Sequence, residues 1–491
     1  MHITEHSAIV LGAGPAGLSA AAGLLKAGAE PLVLERAARA GGSLLTERAG
    51  GFLCEGGPNS LMLEKDGAEP FLRQFGVEPV EALPAAKKRF LVCGGRPVAA
   101  PSGPLGAITT PLLSWRGKLR FLGEPFAAKA PPPAVDETVG AFVRRRLGAE
   151  AAARLVEPMV AGIYAGDIEK LSLRSAFPRL REMEQRYGSL VRAGLAKGRA
   201  APVRRLVNFA GGMREIPDAL VRFLGGTGTA GDTAAGGAGA RVRLGVRLRE
   251  ITREGGADGG LWRVTWSEDA GAGDTAAGGG GDDGSAAPVR TAVAPALVIA
   301  TPPWTWEKTP LPVPLADALR PWSAVAAPPL AVVSLGYERE KVAHPLDGFG
   351  MLSPAVEGRK ILGTLFQSSL FAGRAPDGHV LLTSFVGGCR SPELASLAEP
   401  ELTALVAGEL RSLLGAAGAP VFARVTRWAR AIPQYDTGYD ALLSALDAAE
   451  RAFPVLRFTG NFRAGVALPK TIWHAAQTAA SLAEQLAARR R

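Results

Sequence analysis

Cysteine is scarce in this 491-residue chain: Cys54, Cys93 and Cys389 are odd in number and scattered. They suggest no disulfide framework and fit a reducing compartment. Histidine is equally thin. His2, His6, His344, His379 and His474 share no metal-ligand spacing with one another or with the cysteines, so a metal centre is not expected. No uncharged apolar run reaches the roughly 18 residues that a spanning helix needs. The first strand starts by about residue 8, which leaves no room for a signal peptide and gives a cytoplasmic expectation. Contact with the inner face of the cell membrane stays open. Lys and Arg outnumber Asp and Glu by 56 to 46, a net charge of +10. No compact basic run is interleaved with aromatics, so nucleic acid is not an expected partner. The excess reads either as a generally Arg-rich chain or as attraction to polyanionic small molecules or anionic lipid. The length allows two or three domains and a large core.

Against these absences stands one dense signal at the start. Ile9, Val10 and Leu11 form a short apolar run suited to a buried parallel strand. The turn Gly12-Ala13-Gly14-Pro15-Ala16-Gly17 follows with G-x-G-x-x-G spacing. The first glycine permits the tight turn, the second lets the backbone approach a pyrophosphate, and the third lets the next helix pack closely. That helix is predicted from about Ala16 to Ala27, with its N-terminal N–H groups aimed at the phosphates. Leu32–Leu34 is the next strand, and Glu35 at its end can accept from a ribose 2′-OH. The acid favours FAD or NAD over NADP. Beyond Arg36, the adjacent Gly41 and Gly42, before Ser43, would let a loop backbone lie against the cofactor.

Further along, short strands are expected at Leu44–Arg48 and Gly51–Cys54, with the polar loop Glu55-Gly-Gly57-Pro58-Asn59-Ser60 after them. Residues 67–76 read as a helix, and 87–98 as a hairpin over a Gly-Gly turn. From about 105 to 200 the pattern is helical. Val139, Phe142, Val143 and Leu147 recur at helical spacing behind Asp136-Glu137-Thr138, a cap. Upstream, Leu112, Leu113, Trp115, Leu119, Phe121 and Leu122 mix with Arg116, Lys118 and Arg120. Such a segment is either a core-facing helix or one lying in a lipid interface. Gly225–Ala240 and Asp269–Ala287 are low-complexity and share Gly-Asp-Thr-Ala-Ala-Gly-Gly. They read as flexible insertions at the entry and exit of a hairpin built from 241–253 and 261–267. Ala294–Ala300 is a buried strand returning to the first sheet. Strands at 329–337, 348–352, 361–366 and 380–387, a helix at 391–415 and a strand at Val421–Trp428 suggest a second sheet. At the far end, Leu456–Leu468 followed by an Ala-rich helix, 470–488, repeats the strand–loop–helix logic, and a helix N-terminus there can again face a charged or polarisable part of the cofactor.

The fingerprint, Gly41-Gly42, Gly57-Pro58-Asn59-Ser60 and Thr459-Gly-Asn461…Gly465-Val-Ala-Leu468 together resemble the FAD-dependent amine oxidase and phytoene desaturase superfamily. Within it, several stretches resemble the oxygen-dependent protoporphyrinogen oxidases. They are Leu155-Val-Glu-Pro-Met-Val-Ala-Gly-Ile-Tyr-Ala-Gly166-Asp167…Leu171-Ser172, Phe209-Ala-Gly-Gly-Met213, Gly348-Phe349-Gly350, Leu362-Gly-Thr-Leu-Phe366 and Leu382-Thr-Ser-Phe385-Val-Gly-Gly388. The resemblance implies an α/β fold in three parts. A Rossmann-type FAD-binding domain is built from 1–83, 241–303 and 424–491. An α+β substrate domain with a mixed sheet takes 84–104, 200–240 and 304–423, and a helical membrane-binding domain takes 105–199. It implies non-covalent FAD, a porphyrinogen substrate and O₂, and it leaves peripheral membrane contact and a homodimer open.

The implied reaction removes six hydrogens from protoporphyrinogen IX and passes them to three O₂, giving three H₂O₂. To the cofactor residues already named, the resemblance adds Ser43, Gly57, Pro58, Asn59, Ser60, Val246 (hairpin backbone against the adenine), Trp428, Val466, Ala467 and Leu468. It assigns Arg89 to a substrate propionate, an Arg–carboxylate pair that fixes orientation. It assigns Phe349, Leu352, Leu365 and Phe385 to the sandwich around the macrocycle, and Gly166 to a close backbone approach beside the pocket. No catalytic side chain is implied, because the flavin carries the chemistry. The rivals are a coproporphyrinogen III oxidase, a flavin amine oxidase, a carotenoid desaturase, and a non-enzymatic escort on the same fold. Many amine oxidases tether FAD through a C-terminal cysteine, and 456–491 contains none. The Ala-Gly-Asp block speaks against the desaturase.

Overall fold

Ala8–Leu11 is apolar and buried at every residue, as a parallel strand covered on both faces requires. It lies in the middle of a five-stranded parallel sheet ordered Val242–Arg243, Pro31–Leu34, Ala8–Leu11, Ala296–Ile299, Leu456–Phe458. Three distant stretches of chain therefore build one sheet. The computed structural model describes residues 3–64, 67–101, 106, 109–128, 135–197, 204–225, 241–255, 260–268 and 288–490. Almost all of the two Gly/Ala-rich segments lies outside the described residues.

The helix Pro15–Lys26 covers one face of this sheet, through Leu18, Ala22 and Leu24 against Val10, Val33 and Val298. The C-terminal helix Leu468–Arg490 lies so close to it that a Cβ on Gly23 would stand 2.8 Å from Ala479 Cβ. The other face, with Ile9, Leu11, Leu32, Leu297 and Ile299, packs against Trp262, Val264 and Trp266. These belong to a four-stranded sheet ordered Ile3–Glu5, Val289–Ala294, Leu261–Glu268, Val246–Glu254. The single strand expected over 241–253 is thus two. Val242–Arg243 pairs with Pro31–Leu34, and Val246–Glu254 pairs with Leu261–Glu268. Gly245, at φ +68°, turns the chain from one sheet to the other.

The second large sheet has seven strands, ordered Phe422–Trp428, Leu330–Glu338, His379–Gly387, Gly363–Phe366, Gly350–Leu352, Phe90–Cys93, Arg96–Ala99. It is mixed because Gly350–Leu352 runs parallel to Phe90–Cys93 while its other neighbours are antiparallel. One face, with Phe90, Val333, Met351, Phe366 and Leu382, forms a core with Leu402, Val406 and Leu410 of the helix Glu399–Leu414. That helix is shorter than the predicted 391–415, because Pro392–Ser396 forms a separate 3₁₀ turn.

Two boundaries shift. A division at 424 would cut Phe422–Trp428, which pairs along its whole length with Leu330–Glu338 of the second sheet. Arg204–Asn208 pairs with Leu61–Glu64 and Val80–Glu81, and Glu215–Phe223 packs through Ile216 and Leu220 into the first core. By contacts, 204–224 goes with the first sheet.

Between 109 and 197 the described residues are almost all helix and turn. Thr138 caps Val139–Leu147, its Oγ1 accepting from Ala141 N–H at 3.1 Å. The helices are tied together by a buried ion network. Glu124 and Arg146 are 0% and 1% exposed, and Arg146 Nε donates to Glu124 at 2.8 Å. Glu124 also accepts from Leu190 N–H at 2.9 Å and Val191 N–H at 3.2 Å, so it caps the helix Leu190–Lys197. Among the described residues no helix is long and apolar enough to cross a membrane.

Candidate functional site

Four neighbouring strands of the parallel sheet end on one edge, where ligands of open α/β sheets bind. Leaving that edge are Gly12 after Ala8–Leu11, Glu35 after Pro31–Leu34, Thr301 just past Ala296–Ile299, and Thr459-Gly460-Asn461 after Leu456–Phe458. Gly12 has φ +98°, and a Cβ on Gly17 would lie 1.9 Å from Gly12 O. Both must be glycine for helix and strand to meet. Gly14 differs: nothing lies within 4 Å of the place a Cβ would take. It is the N-cap of Pro15–Lys26, and no side chain caps that end. The first-turn N–H groups, Ala16 and Gly17 among them, are left without a capping side chain beside the open space at Gly14, and a helix end of this kind suits an anion.

Three loops close around this space. Gly41 N–H donates to Ala13 O at 2.8 Å. Gly42, at φ +54°, would bring a Cβ to 3.1 Å from Gly14 Cα, and a Cβ on Gly57 would stand 2.0 Å from Ser43 O. Glu35 accepts from Ala13 N–H at 2.7 Å through Oε2 and from Ala37 N–H at 2.8 Å through Oε1. Each carboxylate oxygen keeps a second lone pair for a ribose hydroxyl. Arg36 is exposed beside it. Val246 is buried, and its N–H donates to the Glu35 carbonyl at 2.9 Å, so that donor is already engaged between the strands.

The loop at 56–60 connects this half to the second sheet. Trp428 Nε1 donates to Gly56 O at 2.7 Å. Asn59 is 7% exposed; its Nδ2 donates to Gly57 O at 2.7 Å, and its Oδ1 accepts from Gln367 Nε2. Pro58 and Ser60 are half-buried beside it. Behind the loop, Glu55 accepts from Met213 N–H at 3.0 Å and from Thr46 Oγ1. Burial raises its pKa more than the hydrogen bonds from Thr46, Met213 and Asn208 lower it. Val466 and Leu468 are half-buried and Ala467 is exposed at the start of the C-terminal helix. Close by, His474 Nδ1 meets Thr459 Oγ1 at 3.0 Å, and burial pushes the imidazole down to about 4, so it is neutral at pH 7.

The substrate expectation falls on the face of the seven-stranded sheet turned away from Glu399–Leu414. Residues directly paired across strands point to the same side. One row runs Leu352, Gly363, Phe385, Val332, Thr426, and the next Gly350, Leu365, Thr383, Ser334, Arg424. Leu352 is also registered with Leu91. By alternation, Arg89, two residues before Leu91, and Trp428, two after Thr426, share that side. Leu352, Leu365, Phe385 and Trp428 are only half-buried. Arg89 is exposed, with its guanidinium carbon 5.4 Å from the Phe349 ring centroid. The helix Glu157–Tyr164 covers one end: a Cβ on Gly162 would stand 2.8 Å from Leu352 Cδ2, and Ala161 and Ala165 cluster with Phe385. Gly166 does approach closely, but against protein, since a Cβ there would lie 2.3 Å from Gln434 Oε1 and 3.0 Å from Leu171 Cδ1.

Four residues escaped the sequence reading. Gln367 orients Asn59, Glu55 anchors the loop at 213, and Gln434 and Tyr435 lie between the two halves. Nothing local marks the two glutamines. A Glu inside the apolar run Phe52–Glu55 was the one available signal.

Residues 15–483 match the family described as flavin containing amine oxidoreductase. The mitochondrial protoporphyrinogen oxidase of Nicotiana tabacum is 31% identical over 96% of this chain and 93% of that protein. The coproporphyrinogen III oxidase of Propionibacterium freudenreichii subsp. freudenreichii is 30% identical over 96% of this chain and 89% of that one. Among solved structures, a protein from Exiguobacterium sp. 255-15 superposes with a TM-score of 0.78 at 21% identity, covering 99% of this chain and 100% of that one. Putrescine oxidase superposes at 0.65 with 17% identity, again over 99% and 100%.

Proposed function

The chain belongs to the flavin containing amine oxidoreductase family, and we propose that this FAD-dependent oxidoreductase oxidises a porphyrinogen, protoporphyrinogen IX, to the porphyrin in tetrapyrrole biosynthesis. One observation carries the reading: Arg89, Leu352, Leu365, Phe385 and Trp428 lie on a single half-buried sheet face that ends on the loop 56–60. The macrocycle lies against Leu352, Leu365, Phe385 and Phe349, an apolar surface for its pyrrole rings. Arg89, at the exposed rim, pairs with a propionate and sets which edge points inward. Gly12–Gly17, Glu35 and Gly42–Ser43 hold the dinucleotide half of FAD. Gly57–Ser60, Trp428 and Val466–Leu468 hold its flavin half. FAD held by these residues would supply a hydride acceptor that O₂ reoxidises, used three times for each six-hydrogen oxidation. The three-part division into cofactor, substrate and helical units belongs to the same reading.

Coproporphyrinogen III is the second substrate reading, favoured by the 30% identity to an oxidase bearing that name. Anaerobic mixing of the holoenzyme with each porphyrinogen, followed by flavin bleaching and porphyrin fluorescence, decides between them. Bleaching by neither overturns both.

The helix Trp115–Leu122 supports peripheral contact with a lipid surface. Trp115, Leu119 and Leu122 are 66%, 59% and 51% exposed, and Phe126 just beyond is 88% exposed. The helical spacing puts Trp115, Leu119 and Leu122 on one stripe, with exposed Arg116 beside Trp115. Flotation with anionic vesicles that is lost in Trp115→Glu is the expected result. Equal flotation of both proteins removes this helix from any membrane contact.

A further inference from the structure

The segment from Trp428 to Tyr439 passes between the two halves of the site. Gln434 Nε2 donates to Tyr164 O at 2.9 Å, and Ser172 N–H donates to Tyr435 O at 2.8 Å. Both contacts fall at the ends of the Ala165–Ser172 block. The Tyr435 side chain reaches the other way. Its hydroxyl donates to Asn461 O and accepts from Gly465 N–H at 3.0 Å. Those two groups flank the short helical turn Asn461–Ala464, which has glycines at positive φ on both sides, Gly460 at +157° and Gly465 at +100°. The middle of the turn is anchored separately, since Phe462 is 1% exposed against Trp306 and Trp322, its carbonyl accepts from the Tyr439 hydroxyl at 2.5 Å, and Arg463 pairs with Asp447. Tyr435 ties its two ends, Asn461 and Gly465. Tyr435 is 3% exposed and stacks on Tyr439, with centroids 4.2 Å apart and planes at 20°. Burial, and then the neighbouring Tyr164, raise the pKa of its hydroxyl. It therefore stays neutral and can donate and accept at once.

We propose that Tyr435 is a positioning residue, whose hydroxyl locks the loop 461–465, and with it Val466–Leu468, against the substrate-side block 165–172. This rests on the reading that Val466–Leu468 lie at the flavin. The lock sets the distance between flavin and substrate, so its loss slows turnover and leaves substrate affinity alone. Neither Gln434 nor Tyr435 need touch either ligand.

Tyr435→Phe keeps the ring and its stacking while leaving Asn461 O and Gly465 N–H unpaired. The expected result is a fall in kcat of about tenfold or more, KM within about twofold of wild type, and an altered visible absorption band of the bound flavin. Tyr164→Phe is the comparison. Tyr164 is in the same aromatic cluster, but its hydroxyl donates to Ala176 O at 3.1 Å, away from the loop. That variant loses a hydrogen bond and some Tm with the flavin band and kcat unchanged. If both variants lower Tm with wild-type flavin spectra and kcat, Tyr435 is only a piece of the core and the proposal falls. A wild-type protein that holds no FAD, or whose FAD no porphyrinogen bleaches, overturns the functional reading instead.

Discussion

Replacing Gly14 by alanine separates cofactor binding from folding. Its φ of −73° and ψ of 179° suit any residue, and an added Cβ meets no protein atom within 4 Å. Removing a glycine restricts the unfolded chain and stabilises by about 0.4–1 kcal/mol. Placing alanine at an N-cap costs about as much. The apo protein should therefore melt within about 0.5 kcal/mol of wild type. On the proposed reading, the methyl group instead occupies the space where the pyrophosphate would meet Ala16 and Gly17 N–H. Hydrogen bonds to a charged group are worth about 1.5–3 kcal/mol each, so weakening one of them raises the FAD Kd by roughly 10- to 100-fold. Gly17→Ala is the contrast. Its Cβ would stand 1.9 Å from Gly12 O, so the helix must shift, and overpacking of this kind costs about 1–3 kcal/mol. That variant loses stability and cofactor together. Both are read by melting the stripped proteins and titrating FAD against flavin fluorescence. Wild-type FAD affinity in Gly14→Ala, or an apo protein as weakened as Gly17→Ala, refutes the reasoning.

Arg89→Ala raises KM about tenfold while kcat changes little, because the lost pairing acts on substrate and transition state alike; an unchanged KM in steady-state assays removes Arg89 from the propionate. Phe385→Ala weakens porphyrinogen binding and keeps FAD, and a colourless purified variant would make Phe385 structural instead. Arg146→Ala leaves Glu124 buried without its cation and costs about 3–5 kcal/mol, read as a large drop in Tm. Burial pushes the Glu124 carboxyl up, but hydrogen bonds from Ser189, Leu190 N–H, Arg146 and Val191 N–H outweigh it and hold the pKa below the usual value. A group depressed in the folded state contributes fully above its unfolded pKa and loses that contribution as pH falls through the folded one. Stability should drop on the acid side of the carboxylate range, and a Tm-against-pH curve for Glu124→Gln that falls as steeply there as wild type contradicts this.

The dinucleotide turn was legible because its determinants are local. Strand, glycine turn, helix and acid lie between Ala8 and Glu35, and each interaction spans few residues. The hairpin Phe90–Cys93 to Arg96–Ala99 was legible for the same reason, since Gly94 and Gly95 take φ +58° and +74°. The second sheet was legible as strands but not as faces. Leu330–Glu338 is buried at every residue but the last, so no alternation says which side meets Glu399–Leu414 and which meets a ligand. Only the resemblance chose Leu352, Leu365 and Phe385. Nor could periodicity show that Arg204–Asn208 pairs back to Leu61–Glu64, since two strands that far apart in the chain carry no mutual signature.

What stayed hidden shares a physical cause. Gln367 to Asn59 and Trp428 to Gly56 are hydrogen bonds across 308 and 372 residues, and each donor is an ordinary polar side chain in the sequence. A polar group exerts a strong orienting effect only when burial removes water as the competing partner, and burial here is a product of the whole fold. Gln367 is 1% exposed and Tyr435 3%. On the proposed reading, the phosphate end of the cofactor is thus specified by short-range backbone geometry, and the flavin end by long-range buried hydrogen bonds. Damage to the first should appear as lost FAD. Damage to the second should appear as bound flavin held at the wrong distance from its substrate, which is why turnover, rather than cofactor content, is the quantity to follow at Gln367 and Tyr435.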